Sequence, residues 1–60
     1  MPVEYHQLLD LRRQAKVAGD WTVESVCTLA LSQIRRGMRD TPAIQYCAEW
    51  LAKPTDERWD

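Results

Sequence analysis

The chain is punctuated at few places, and that punctuation constrains the fold more than any other feature. Gly19-Asp20 and Gly37 are the only glycine-bearing breaks, while Pro2, Pro42 and Pro54 stand where a helix can begin or must end. Between these breaks lie three segments with apolar residues at helical spacing. No run alternates apolar and polar residues with period two, and no hairpin dipeptide separates β-branched runs, so strands have little support. The sequence therefore predicts an all-α three-helix mini-domain, with helices over about 3–18, 22–37 and 42–53. Residues 1–53 form its single helical domain, and 54–60 a short acidic tail that is extended or frayed, with Trp59 as its one anchor.

Each helix carries its own start and stop signals. The first places Leu8, Leu11, Ala15 and Ala18 on one face, widened by Tyr5 and Leu9, and stops at Gly19. The second has two candidate N-caps, Asp20 and Thr22, with Glu24 and Ser25 in its first turn and Gly37 suited to follow its last residue. The third pairs Thr41 as N-cap with Pro42 at the first helical position, where the missing N–H costs nothing, and ends before Pro54.

The apolar faces are wider than three short helices need. Val23, Val26, Cys27, Ala30, Leu31 and Ile34 span an arc of about 140°, and Leu29 lies outside it. On the third helix Ala43, Ile44, Tyr46, Cys47, Ala48, Trp50 and Leu51 span about 200°. A chain of 60 residues buries only about 60% of its unfolded surface, so its core supplies few kcal/mol without a supplement. The two observations together predict completion by homodimerisation, with Leu29, Ile44, Tyr46, Trp50 and Trp59 at the dimer or partner interface. The alternative is that Trp21, Trp59 and the arginine stems cover the remainder, with Trp21 at the mouth of the first turn.

Charge separates function classes. Eight Lys+Arg against nine Asp+Glu give a net charge of −1, which argues against broad phosphate-backbone binding. Residues 1–39 hold six basic and four acidic side chains, and residues 40–60 hold two basic and five acidic ones. A mildly basic helical hairpin thus precedes an acidic third helix and tail, and self-association with those two parts opposed is the specific expectation. There is no targeting signal and no stretch of 18 apolar residues, so a cytoplasmic protein without membrane contact is expected.

Catalysis finds little support. His6 is the single histidine, near a terminus, with neither an orienting group nor a pocket specified for it. Cys27 and Cys47 form no Cys-x-x-Cys pair, and a metal site joining them to His6 would lack a fourth ligand. In a reducing compartment both read as small buried apolar residues. No phosphate-cradling glycine loop or nucleophile elbow is present, so neither enzymatic activity nor a cofactor is expected.

Binding remains. Trp, Tyr and Arg are the types enriched in interface hot spots, and the chain has three Trp, two Tyr and six Arg. Protein–protein binding with a regulatory or inhibitory outcome is the primary expectation, the partner being unidentified. The alternative is a small DNA-binding regulator of helix-turn-helix type. Arg35, Arg36 and Arg39 would hold phosphate, while Gln45 and Tyr46 on the third helix faced bases. Against it, the supposed recognition helix has one cation, Lys53, far from its N-terminal end. Arg12, Arg13 and Lys16 would also lie at the opposite end of the hairpin from Arg35, Arg36 and Arg39, about 20 Å away at 1.5 Å per residue.

In its size and its compact capped helices, opened by Asp20-Trp21-Thr22 and Thr41-Pro42, the chain resembles the small helical proteins of temperate-phage accessory regions, such as the lambda exo-xis segment. The resemblance implies a phage-encoded, host-directed regulatory or inhibitory protein that acts by binding in the bacterial host cytoplasm. It carries no functional residue over to this sequence.

Overall fold

The computed structural model describes residues 3–59 and contains the three expected helices in order: α1 (Tyr5–Ala18), α2 (Trp21–Arg35) and α3 (Pro42–Ala52). A short 3-10 turn, η1 (Thr55–Glu57), follows. No strand occurs among the described residues.

Helix ends are fixed by local chemistry. At the end of α1, Gly19 adopts φ 78°, a left-handed conformation that costs a glycine little. The Gly19 N–H reaches the Lys16 carbonyl at 3.2 Å and the Asp20 N–H reaches that of Ala15 at 2.9 Å. These paired bonds satisfy carbonyls that the helix leaves open. The same arrangement closes α2: Gly37 sits at φ 84°, its N–H bonded to Ile34 at 2.9 Å, and the Met38 N–H bonds Gln33 at 3.0 Å. α3 begins as expected, with Thr41 Oγ1 accepting the Ile44 N–H at 3.1 Å and Pro42 in the first position. The Thr41 hydroxyl also donates to the Gln33 side chain, tying the α3 start to α2. Lys53, preceding Pro54, is extended at ψ 145° because the proline ring disfavours helical backbone before it.

Of the two possible caps of α2, the structure uses Asp20, whose Oδ1 accepts the Val23 N–H at 3.2 Å. That choice makes Trp21 the first helical residue, one position earlier than expected. At 100° per residue, Trp21 lies about 200° from Val23. Val23 is 1% exposed and Trp21 74% exposed. Trp21 therefore does not pack at the mouth of the turn; the cap that buries Val23 turns it outward.

The core comprises Leu8, Leu11 and Ala15 of α1, Val23, Cys27, Ala30 and Leu31 of α2, and Ile44 and Cys47 of α3. Val26, Ile34, Trp50, Leu51 and Trp59 pack around it. Two expectations need correction here. Ala18 is exposed, because the chain turns at Gly19 and the α1 seam ends at Ala15. Ile44, expected at an interface, is 4% exposed within its own chain. The Cα radius of gyration is 10.5 Å, against about 10.4 Å for a compact chain of this length. One copy thus closes its own core.

The tail also differs from expectation. It is neither extended nor frayed through Trp59, and Asp60 lies outside the described residues. After η1 the Arg58 guanidinium donates to the carbonyls of Trp50 at 3.0 Å and Leu51 at 3.2 Å, and to Gln14 Oε1 at 2.8 Å. α3 has no basic residue in its last turn, so Arg58 places a cation at the negative end of the helix dipole from outside the helix. Trp59 stacks on Trp50 with centroids 5.0 Å apart, and its Nε1 donates to Asp20 Oδ2 at 3.0 Å.

Asp20 therefore joins the α1–α2 turn, the α2 cap and the tail. Asp20→Ala removes a cap and the Trp59 bond and is expected to cost about 2 kcal/mol, a fall in melting temperature of about 10 °C for so small a domain. Asp20→Asn keeps a capping oxygen and is expected to lose less than half as much. Thermal denaturation followed by circular dichroism compares the two.

Candidate protein-binding surface

With the core closed, the outward apolar side chains define the candidate site. The large exposed ones are Tyr5, Leu9 and Val17 on α1, Trp21 and Leu29 on α2, Met38 after it, and Tyr46 on α3. Val17 is 85% exposed and Leu29 53%. Val17 and Trp21 stand on either side of the Gly19-Asp20 turn in the chain, and both side chains are largely exposed. An isolated exposed leucine is ordinary, but an outward tryptophan is a hot-spot side chain without a use inside its own fold.

A groove of about 560 Å³ runs between α1 and α2, lined by Leu9, Asp10, Arg12, Arg13, Lys16, Glu24 and Thr28. Arg13 is paired with Asp10 at 2.9 Å, both largely exposed, a pair worth little in water. Arg12 and Lys16 give the groove cations above the apolar Leu9. A smaller hollow of about 300 Å³ at the other end is lined by Val3, Ile34, Gly37, Met38, Arg39 and Ile44.

The expected interface residues divide. Leu29 and Tyr46 are exposed as anticipated. Ile44 is core, and Trp50 and Trp59 are half-buried against each other, with Lys53 Nζ 4.6 Å from the Trp50 ring centroid. Those two tryptophans act inside the chain as a latch between α3, the tail and Asp20. Sequence reasoning missed Val17 and Trp21 as exposed apolar residues. Counting Val17 and Trp21 against the helical phase set by Leu8, Leu11, Ala15 and Val23 would have found both.

The nucleic-acid candidates are placed at the far end. Arg35, Arg36 and Arg39 are exposed around the α2 terminus, away from the α1 cations, so no single basic stripe joins the two groups. Gln45, the proposed base reader, is exposed but donates to Asp40 Oδ1 at 2.8 Å, which holds a carboxylate where a phosphate would approach.

Of the groups weighed for catalysis or metal binding, His6 is exposed, 3.5 Å from Glu4. Among the described residues no three His, Cys, Asp or Glu side chains gather as a metal site, and none of the helices is long and apolar enough to cross a membrane. Cys27 and Cys47 are free thiols, fully buried, with Cys47 Sγ 3.7 Å from Cys27 Sγ as donor. Accepting that hydrogen bond lowers the pKa of Cys27 below the ordinary thiol value, against burial and with a smaller pull from Arg12. Donating it raises that of Cys47, and burial adds in the same direction.

The fold and this surface define a small all-α three-helix protein with an apolar hairpin tip and a basic groove. No family model matches the chain, and neither a curated protein nor a solved structure matches it.

The two exposures separate the tryptophans energetically. Trp59→Ala is expected to lower stability by about 2 to 3 kcal/mol, below the full cost of a core tryptophan because the ring is only half buried. Trp21→Ala is expected to change stability by less than about 0.5 kcal/mol. Urea denaturation measures both, and the reverse order would place Trp21 in the core.

Proposed function

We propose that this protein acts by binding protein rather than by catalysis, with a regulatory or inhibitory outcome. The observation that carries the reading is the outward Trp21, 74% exposed, on the helix pair that also forms the groove holding Arg12 and Lys16. Binding there removes an indole and a valine from water, each gaining from burial, while Arg12 and Lys16 select for carboxylates. The partner surface is therefore apolar and acidic.

One such surface is present on the chain itself. Glu49, Asp56 and Glu57 are exposed on α3 and η1, at the acidic end of the charge pattern. In a two-fold dimer, the acidic end of each copy meets the basic groove of the other, and the contact is made twice. Leu29 and Tyr46 supply further apolar area. The resemblance to phage accessory-region proteins supports a host protein as the eventual target. The nucleic-acid reading draws on Arg35, Arg36 and Arg39, but the Asp40–Gln45 pair and Glu49 weigh against it.

Sedimentation at micromolar concentration is expected to show a dimer that weakens as salt rises. Asp56→Lys with Glu57→Lys is expected to yield monomer, and adding Arg12→Glu with Lys16→Glu to restore the dimer. A wild-type monomer at low salt overturns self-association. A salt-sensitive shift of duplex DNA, lost on Arg35→Ala plus Arg36→Ala, would favour the nucleic-acid reading instead.

A further inference from the structure

Two cysteines from different helices meet in a core of nine residues, and packing alone does not ask for that. Small apolar side chains are interchangeable at such positions, whereas two sulfurs 3.7 Å apart have a chemistry that alanine or valine lacks. We propose that Cys27 and Cys47 are a modification site: a dithiol that a small hydroperoxide converts to an intrachain disulfide joining α2 to α3.

The two sulfurs are already in contact. They must close from 3.7 Å to about 2.05 Å. The roles of the two thiols differ. Cys27 accepts the hydrogen bond and is favoured as thiolate, while Cys47 keeps its proton. Cys27 attacks one peroxide oxygen, the O–O bond breaks, and the departing hydroxide takes a proton to leave as water. Cys27 is then a sulfenic acid. The Cys47 sulfur attacks the Cys27 sulfur and gives up its proton, the S–O bond breaks, and a second water leaves. Two thiols have lost two electrons and two protons, and the peroxide has become two waters.

Both sulfurs have no exposed surface, so the oxidant must be small and α3 must loosen from α2. The ties that resist loosening are the Thr41–Gln33 bond and, through the tail, the bonds from Arg58 to Gln14 and from Trp59 to Asp20. The tail thus sets how often the thiols are open to attack. Once formed, the bridge spans 20 positions and restricts the unfolded chain, which lowers the unfolding equilibrium about 200-fold if native strain is small. For a 60-residue chain that corresponds to a rise in melting temperature of about 10 °C or more.

The test uses the reduced full-length chain, a few-fold excess of hydrogen peroxide, and a small-molecule dithiol treated in parallel as control. The expected product is a chain with no intermolecular disulfide, lighter by two hydrogen atoms, with no titratable thiol, a higher melting temperature, and full reversal by dithiothreitol. Arg58→Ala is expected to speed the reaction several-fold at unchanged end point, and Cys47→Ser to abolish the bridge. The proposal is overturned if the thiols persist while the control dithiol oxidises. It is equally overturned if the product gains oxygen without losing two hydrogens, is a disulfide-linked dimer, or melts lower than the reduced chain. None of these readouts depends on the protein-binding proposal.

Discussion

The structure depends on one side chain at the tight corner between α1 and α2. Asp20 donates its backbone N–H to the end of α1, accepts the Val23 N–H at the start of α2 on one carboxylate oxygen, and accepts the Trp59 indole N–H on the other. A helix end leaves about four backbone groups open, and in a domain this small each open end is a sizeable share of the total. Spending one residue on two helix ends and a tail anchor keeps the connection two residues long and fixes the α1–α2 angle.

The tail completes what the corner begins. Three short helices leave the last turn of α3 without a cation and the Trp50 ring, with the Lys53 ammonium near it, without an aromatic partner. Arg58 and Trp59 supply both from six and seven residues beyond the last helical position, and Gln14 of α1 receives the remaining guanidinium bond. A 60-residue chain is expected to need a supplement to its core, and here its own last residues provide it. The wide apolar face of α3 is covered by this latch on its C-terminal half and by α1 and α2 at Ile44 and Cys47. The apolar surface left over lies at the hairpin tip, on Leu29 and on Tyr46.

That redistribution changes where binding is placed. An apolar side chain that the core does not use, next to cations that no buried carboxylate neutralises, is a surface whose exposure is unfavourable in water and relieved by a partner. The buried dithiol is separate from this surface, and its reactivity is governed by how firmly the tail holds α3.

How much of this was legible follows the range of the interactions. The three helices, the αL glycines, the Thr41-Pro42 opening and the stop before Pro54 rest on bonds within about five residues, and the sequence determines them by itself. It also determines most of the core, because Leu8, Leu11, Ala15, Val23, Cys27, Ala30 and Leu31 share faces through the helical period alone. The choice of Asp20 over Thr22 as cap turned on Asp20 serving α1 and Trp59 at the same time. The docking of Arg58 and Trp59 and the meeting of Cys27 with Cys47 were likewise decided only by tertiary structure. Each joins residues from 7 to 44 positions apart, and no local periodicity encodes which distant partner a half-buried aromatic, a guanidinium or a thiol will find once the helices have packed.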